Sequence, residues 1–186
     1  MINAGATLED VCFVVSAALN SAGISCVLTG GSAAVIYAPQ GYMSEDADFI
    51  LDSEDSLADV ERALDAIGFR RDGRSRNFVH DAVTFTVEFP KGPLAVGGDY
   101  IDKIAVIERG GVRLRILTRT DCIRDRLAHY YHWDDFTALN AAVSVAAEAP
   151  ESVDFAEIRA WTVRESPALI AKFEEFTLRV GRAEKR

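Results

Sequence analysis

The segment from Leu28 to Asp52, LTGGSAAVIYAPQGYMSEDADFILD, constrains the fold more than any other part of the chain. Short apolar or β-compatible residues from Ser25 to Leu28 predict a buried strand, and Ser32 then begins a brief helix that ends before Pro39. A second strand is predicted from Asp46 to Leu51, because alternating residues there lead into an apolar run. The sequence therefore places a tight turn between a strand and a helix, with an acidic strand close behind.

The Gly-Gly-Ser turn has the chemistry of an anion site. Gly30 and Gly31 let the backbone turn sharply and approach a ligand that a Cβ atom would obstruct. The helix that follows directs its free N–H groups and its positive dipole end toward the turn. We therefore expect the backbone N–H groups of Gly30, Gly31 and Ser32, together with the Ser32 hydroxyl, to bind the β- and γ-phosphates of a nucleotide.

Two acidic residues, Asp46 and Asp48, lie on one face of the predicted second strand, since side chains alternate along a strand. Carboxylates about 7 Å apart on a strand repel each other by about 2 kcal/mol at an effective dielectric constant near 20. A divalent cation would offset that repulsion. Hard oxygen ligands that leave coordination positions open for phosphate suit Mg²⁺, so both residues are candidate metal ligands.

A third carboxylate, Glu88, lies in a segment where Val83, Phe85, Val87 and Phe89 alternate with polar residues. This alternation predicts a strand with Glu88 on its polar face. A central strand rarely carries a carboxylate unless something offsets its charge. The alternative is a surface glutamate on a half-exposed strand.

The Gly31-Ser32 turn, the thirteen residues after it and the Asp46-Ala47-Asp48-Phe49 strand together resemble the signature of the nucleotidyltransferase superfamily, which has a DNA polymerase beta-like fold. The resemblance implies Mg²⁺-dependent transfer of a nucleoside monophosphate from an NTP to a hydroxyl acceptor. It also implies that a third acid on a neighbouring strand completes the metal site. Glu88 is the candidate for that role and for the base that deprotonates the acceptor.

Two further segments, EFPKGPLAVG from Glu88 to Gly97 and DRLAHYYHWDD from Asp125 to Asp135, carry a second resemblance. They are similar to an uncharacterised bacterial domain family that is related to the abortive-infection nucleotidyltransferase toxins. Those toxins act in toxin–antitoxin pairs, which implies a cognate antitoxin or another partner protein. In the toxins a Lys in the equivalent helix contributes to nucleotide handling, whereas this chain has Arg124 and Arg126 there.

Positive charge is concentrated in the middle of the chain. Residues 69–119 contain ten Lys or Arg and six Asp or Glu, so this segment carries +4 and the remainder −13, for a net charge of −9. Arg70, Arg71, Arg74 and Arg76 suit bidentate contacts to a triphosphate or an RNA backbone, and Arg74 and Arg76 are our candidates for nucleotide binding. The alternative is a solvated hairpin. The negative total argues against a general nucleic-acid coat protein.

The DRLAHYYHWDD segment permits two other hypotheses. Asp125, His129 and His132 share one helical face, which would permit a metal site. The alternative for this stretch is core and hydrogen-bonding roles of its aromatic residues Tyr130, Tyr131 and Trp133. Arg126 and His132 resemble the Arg-x-His arrangement of helical ribonucleases that accompany small nucleotidyltransferases. RNA cleavage without added metal would favour that second hypothesis.

Periodicity along the chain predicts an α+β (mixed α/β) fold, and the resemblance implies a nucleotidyltransferase-like mixed sheet flanked by helices. We expect a core over residues 1–118 and a C-terminal helical subdomain over residues 119–186 that packs on it. A capping box at Thr7 should begin the first helix, Ser53 or Ser56 should begin the helix from Leu57, and the chain should fray from Gly181.

Composition limits the class of protein. A chain of 186 residues with 49% hydrophobic and 26% charged residues is typical of a globular protein with a proper core. We expect Cys12, Cys26 and Cys122 to be buried thiols. With no basic segment leading into an apolar core at the start, we expect a cytoplasmic protein without membrane contact.

The acceptor stays open among RNA, a protein side chain and a small molecule. The basic segment gives RNA a slight preference. The rival to an enzyme is a catalytically inactive module of the same fold that binds a nucleotide or a protein.

Overall fold

The computed structural model describes residues 2–52 and 57–183. The described helices are α1 (Leu8–Ser21), α2 (Gly30–Tyr37), α3 (Leu57–Asp65), α4 (Arg119–Trp133), α5 (Phe136–Glu148), α6 (Phe155–Glu165) and α7 (Ile170–Ala183). The described strands are β1 (Cys26–Thr29), β2 (Asp46–Leu51), β3 (Arg70–Arg71), β4 (Asn77–Val79), β5 (Thr86–Glu88), β6 (Ala95–Val96), β7 (Asp99–Tyr100), β8 (Ile104–Arg109) and β9 (Val112–Leu117).

Seven of these strands form one mixed sheet in the order β3-β4-β5-β2-β1-β9-β8, while β6 and β7 form a separate small hairpin. Strand β2 pairs antiparallel with β1 and parallel with β5, and β1 pairs parallel with β9. The predicted α+β fold with a mixed sheet is confirmed. The two central strands, β1 and β2, flank the turn that opens α2.

Alternation along β2 separates the core from the candidate site. Ala47 and Phe49 are fully buried, and Phe49 stacks on Phe89, which meets Phe78 edge to face. Asp46 and Asp48 project from the opposite face because side chains alternate along a strand. One strand thus contributes to the hydrophobic core and presents two carboxylates on its other side.

Helix α1 forms as its sequence predicts. The Thr7 hydroxyl accepts a hydrogen bond from the Asp10 backbone N–H at 3.2 Å, and the Asp10 carboxylate accepts one from the Thr7 N–H at 2.9 Å. This capping box satisfies two donors that a helix start would otherwise leave without partners. The buried face of α1 packs against β9, β1 and β2. The predicted caps of α3, Ser53 or Ser56, lie outside the described residues.

Two expectations about the strands and helices were wrong in their bounds. Helix α2 begins at Gly30 rather than at Ser32, so both glycines belong to its first turn. The strand expected from Val83 to Phe89 pairs only over Thr86–Glu88. His80 accepts a hydrogen bond from the Ala82 N–H, and this turn brings β4 back alongside β5.

The C-terminal third is helical, as predicted. Thr118 caps α4 by accepting the Asp121 N–H, and Asp135 caps α5. Pro167 begins a short 3-10 turn that precedes α7. The expected fraying was wrong for residues 181–183, since α7 continues to Ala183, and residues 184–186 lie outside the described part of the chain. The proposed division of the chain at residue 118 stays a prediction.

The three cysteines are buried free thiols, as expected. Helices α4 and α5 pack against α2, so one side of the sheet is covered at the point where β1 and β2 meet the Gly-Gly turn. Across residues 2–52 and 57–183, no helix combines the length and the apolar character needed to cross a lipid bilayer.

Candidate active site

The sheet register brings the three predicted acidic residues to one region. In the parallel pairing of β2 with β5, Asp46 lies opposite Thr86 and Asp48 lies opposite Glu88. The Thr86 hydroxyl donates a 2.6 Å hydrogen bond to the Asp46 carboxylate. Because directly opposed residues share a face of the sheet, Asp46, Asp48 and Glu88 all project to the side away from Phe49.

Gly30 is required where the turn meets Asp48. Its φ of +66° lies in the left-handed region, and a Cβ added there would lie 2.2 Å from the Asp48 carboxylate oxygen Oδ2. The Asp48 carboxylate therefore packs directly on the start of α2, whose positive dipole end favours a negative charge. The close approach that the sequence predicted for a ligand is made here by the protein's own carboxylate.

Ser32 has a different role from the one its sequence position suggested. Its side chain is completely buried, and its hydroxyl donates to the Thr29 carbonyl oxygen at 2.9 Å. The Ser32 hydroxyl oxygen in turn accepts a hydrogen bond from the Asp48 backbone N–H at 3.2 Å. With its only proton used inside the protein, the hydroxyl cannot donate to a phosphate. The prediction that the Ser32 hydroxyl binds phosphate therefore needs correction. This hydroxyl fixes the backbone of Asp48 instead.

Burial and crowded negative charge raise the pKa of Asp48 to about 6. Desolvation is the largest cause, the neighbouring charges of Glu88 and Asp46 add to it, and Arg126 acts in the opposite direction. A carboxylate whose pKa is raised by burial and by neighbouring negative charge is typical of functional sites. The same surroundings would favour a bound cation, which would lower this pKa again.

The Glu88 carboxylate is hydrogen-bonded to the neighbouring strand β4. Burial and the charge of Asp46 raise its pKa, yet its Oε1 atom accepts a 2.6 Å hydrogen bond from the Asn77 side chain on β4. Within the described residues, no three His, Cys, Asp or Glu side chains converge closely enough to bind a metal ion. The structure thus places Glu88 next to Asp48 in register without bringing its carboxylate into a three-acid cluster.

A cavity of about 570 Å³ lies on this face of the sheet. Gly30, Gly31, Asp46 and Asp48 line one part of it, and residues from the loop after β5 and from α4 complete it. The remaining lining residues are Thr29, Tyr42, Ser44, Ile50, Pro90, Lys91, Pro93, Leu94, Ala95, Leu117, Asp125, Arg126, His129 and Asp135. Glu88 is not among them.

Arg126 is the residue of this site that sequence reasoning did not place. It is 8% exposed, and its Nη2 atom lies 2.7 Å from the Asp125 carboxylate. Burial opposes its charge, but Asp125 outweighs that effect and raises the pKa of Arg126. A buried guanidinium that faces a cavity with carboxylates is suited to phosphate recognition. Its signals in the sequence were the resemblance of this helix to that of the toxins and the Arg-x-His arrangement with His132.

The predicted nucleotide-binding arginines lie elsewhere. Arg74 is exposed in the turn between β3 and β4, and the Arg76 guanidinium donates to the Phe89 carbonyl oxygen. Neither lines the cavity. The nearby Arg70 pairs with Asp81, and Arg71 lies 3.5 Å from Glu61, so this hairpin has the solvated, paired character of the alternative hypothesis.

The histidine hypotheses are not supported by the geometry. Asp125 and His129 line the cavity, but His132 lies 3.6 Å from Glu165 and does not line it. Burial lowers the pKa of His129, and its ring contacts Trp133 at 5.2 Å between ring centres. Among the described residues, His132 therefore does not join Asp125 and His129 in a metal site at this cavity. Nor does it lie with Arg126 in the lining of the cavity.

The residues present fit Mg²⁺ with part of its shell supplied from outside the protein. Mg²⁺ in phosphate-handling sites is held by one or two carboxylates, with phosphate oxygens and water completing its octahedron. Asp46 and Asp48 meet that requirement, since both line an open cavity and the negative charge of Asp48 is unfavourable despite the opposing effect of Arg126. Two carboxylates are enough when the nucleotide brings its own oxygens.

Comparison with known proteins gives a fold but no close relative. No family model matches the chain, and no curated protein matches it by sequence. The structure is similar to an antigenic nucleotidyltransferase-like protein from Paracoccidioides brasiliensis, with a TM-score of 0.58, 13% identity and coverage of 90% of this chain and 92% of that one.

A second similar structure is the antibiotic-resistance factor ANT(2'')-Ia in solution. The TM-score is 0.53 and the identity 13%, with 87% of this chain and 94% of that chain covered. Both likenesses extend over most of each chain. The chain has a nucleotidyltransferase-like fold.

Proposed function

We propose that this protein transfers a nucleoside monophosphate from an NTP to a hydroxyl acceptor with the help of Mg²⁺. One observation carries the proposal: Asp46 and Asp48 line an open cavity at the positive end of α2, and the buried Arg126 lines the same cavity. The nucleotidyltransferase-like fold supports the same reaction class, and the sequence signature agrees with it.

The triphosphate would lie between α2 and α4. Gly30 and Gly31 line the cavity at the start of α2, and Arg126 on α4 and Lys91 in the loop after β5 also line it. Two cations and a helix dipole at one cavity suit a polyphosphate chain. Arg126 thereby takes the part that the sequence assigned to Arg74 and Arg76.

Asp46 and Asp48 would hold Mg²⁺, which stabilises charge on the attacking and leaving oxygens during in-line transfer with release of pyrophosphate. The Thr86 hydroxyl orients Asp46, and Ser32 fixes the backbone of Asp48. Glu88, with its raised pKa, is the proposed base for the acceptor hydroxyl. To reach that hydroxyl or a metal, its carboxylate must exchange its hydrogen bond with Asn77 for the new contact.

Label transfer tests this proposal. The protein is incubated with each α-labelled NTP, Mg²⁺ and total cell RNA, protein or metabolites. We expect label in one acceptor fraction, and a loss of about 100-fold or more in Asp46→Ala and Asp48→Ala. Asp102→Ala, which removes an exposed carboxylate away from the cavity, is the matched control. Transfer that persists in both aspartate variants would refute the assignment.

The resemblance to abortive-infection toxins supports a further proposal, that the enzyme acts as the toxin of a toxin–antitoxin pair. Induced expression in a bacterial host measures this directly. We expect growth arrest with the unaltered protein and none with Asp48→Ala at equal protein level. Equal growth of both strains would remove the toxin role and leave the enzymatic proposal intact.

The second candidate is a nucleotide-binding module without catalysis. The hydrogen bond between Glu88 and Asn77, which leaves the third acid outside the cavity, favours it. Such a module would bind NTP with Mg²⁺ yet transfer no label to any acceptor. Weak transfer that improves in Asn77→Ala, which frees Glu88, would decide for the enzyme.

A further inference from the structure

The cavity has two ends of different chemistry. Its polar end contains the Gly-Gly turn and the aspartate pair, and its other end is apolar. Ile50 follows Asp48 by two residues on β2, and Pro90 follows Glu88 by two residues after β5, so the apolar end lies about 7 Å further along these parallel strands. The apolar residues that line this end of the cavity are Ile50, Pro90, Pro93, Leu94 and Ala95.

Most of this apolar wall belongs to the segment around the β6-β7 hairpin. The hairpin is a separate two-stranded sheet, closed by the hydrogen bond from the Ile101 N–H to the Leu94 carbonyl oxygen at 3.1 Å. An isolated two-stranded hairpin is marginally stable by itself. Because no described strand of the main sheet pairs with this hairpin, contacts with other elements must hold the apolar lining residues in place.

Arg124 on α4 provides the first of these contacts. It is 5% exposed, and its two terminal nitrogens reach Asp99 at 2.7 Å and Asp121 at 2.8 Å. Its guanidinium lies over the Trp161 ring, 5.2 Å from the ring centre. Arg124 therefore joins the hairpin strand β7 to the interior of the helical part.

Helix α6 provides the second contact. Arg164 lies 2.8 Å from Asp99, and the Glu165 carboxylate accepts the Gly98 backbone N–H at 3.0 Å. Gly97 has a φ of +57°, and a Cβ there would lie 2.3 Å from Glu165. Hydrogen bonds from Arg164 and Arg124 hold the pKa of Asp99 below its ordinary value, so this carboxylate is charged at neutral pH.

A buried arginine is costly to desolvate, and ion pairs of this kind seldom add net stability over apolar packing. The ion pair of Arg124 with Asp99 instead fixes the position of the hairpin against α4. The wall it fixes faces a space beside the proposed triphosphate site, and a nucleobase is a flat ring suited to apolar contact.

We propose that the apolar residues Pro90, Pro93, Leu94 and Ala95 form the surface on which the nucleobase packs, and that Arg124 and Asp99 are the positioning residues that hold it there. The inference rests on the proposed function, because it takes the polar end of the cavity as the triphosphate site. Recognition by apolar contact discriminates weakly among bases, so the four NTPs should bind with affinities within about tenfold of one another.

The test compares two probes, Mg²⁺–ATP and Mg²⁺–tripolyphosphate, by calorimetry. Asp99→Asn removes the charge that joins the hairpin to both arginines, and Asp102→Asn is the matched control at an exposed carboxylate. We expect Asp99→Asn to weaken ATP binding about five- to tenfold while tripolyphosphate binding changes less than about twofold. Backbone amides from Leu94 to Ile101 should also exchange hydrogen faster in Asp99→Asn than in the control.

A second variant, Leu94→Ala, tests the wall without touching the ion pair and should show the same selective loss. Equal losses for both probes, or none for ATP, would overturn the inference. Failure of the proposed function looks different: the unaltered protein would then bind neither probe, which would also overturn the nucleobase role. Unchanged amide exchange in Asp99→Asn would reject the positioning role alone.

Discussion

Two charged regions of this molecule differ in how the protein accommodates their charge. On the hairpin of β3 and β4, arginines lie near the surface and pair with carboxylates such as Asp81 and Glu61. On β2, Asp46 and Asp48 lie side by side, and burial raises the pKa of Asp48 to about 6. Exposed, paired charge contributes little to stability or function. Partly buried charge that its neighbours compensate only in part marks the place where a ligand is expected.

The largest effect should come from the contact between the turn and Asp48. Gly30→Ala places a methyl group against the Asp48 carboxylate and also forces a left-handed backbone on alanine. We expect a loss of about 3 kcal/mol in the free energy of unfolding, measured by urea denaturation. Gly73→Ala is the control: its φ is +57°, but nothing lies within 4 Å of the added Cβ, so only the backbone cost of about 1 kcal/mol applies. Equal losses would contradict the close packing.

Next in size is the effect of Arg126 on nucleotide binding. Arg126→Gln removes the buried guanidinium that lines the cavity, and we expect NTP affinity to fall about 10- to 100-fold because charge-assisted contacts to phosphate are lost. Calorimetry with the NTP and with the matching nucleoside separates the causes. Nucleoside binding should be unchanged, and a parallel loss for both ligands would instead indicate a damaged cavity.

A smaller effect concerns stability and its pH dependence in the absence of metal. Since folding raises the pKa of Asp48 from 3.8 to about 6, its charge costs stability above pH 6, and the cost disappears as pH falls toward 4. Asp48→Asn should therefore be more stable than the unaltered protein by about 1 kcal/mol at pH 7.5 in EDTA, after allowance for solvent screening.

Thermal unfolding from pH 4 to pH 8 measures this difference. The two curves should approach each other at the acidic end. An Asp48→Asn protein that is less stable than the unaltered one at pH 7.5 would show that the carboxylate is well compensated in the free protein.

The smallest effect should come from the basic hairpin. Arg74→Ala and Arg76→Ala remove charges that do not line the cavity, and we expect NTP affinity to change less than about twofold. A change of tenfold or more in calorimetric affinity would restore the sequence-based assignment of these arginines and abolish the contrast between the two regions.

The local parts of the site could be predicted from sequence. Turn glycines, caps and alternating strands act over a few residues, so the Gly-Gly turn, the Thr7 capping box and the bounds of β2 were all accessible. The placement of Asp46 and Asp48 on one face followed from the period of a strand.

The remaining parts depend on contacts distant in sequence. Arg126 reaches the cavity only because α4 packs against α2, and no local pattern encodes that contact. Ser32 satisfied every local rule for a phosphate ligand, but its proton is used by the Thr29 carbonyl oxygen. The strand around Glu88 is shorter than its alternation implied, because the turn at His80 takes up the residues before it.

Mg²⁺-dependent binding of an NTP tests the central claim most directly. Calorimetry of the unaltered protein with each NTP, with Mg²⁺ and with EDTA, is compared with Asp46→Asn and Asp48→Asn, and with Asp102→Asn as control. We predict binding that requires Mg²⁺, disappears in both site variants and persists in the control. Binding of equal strength in EDTA, or unchanged binding in the two aspartate variants, would contradict the claim that this acidic pair holds a magnesium nucleotide.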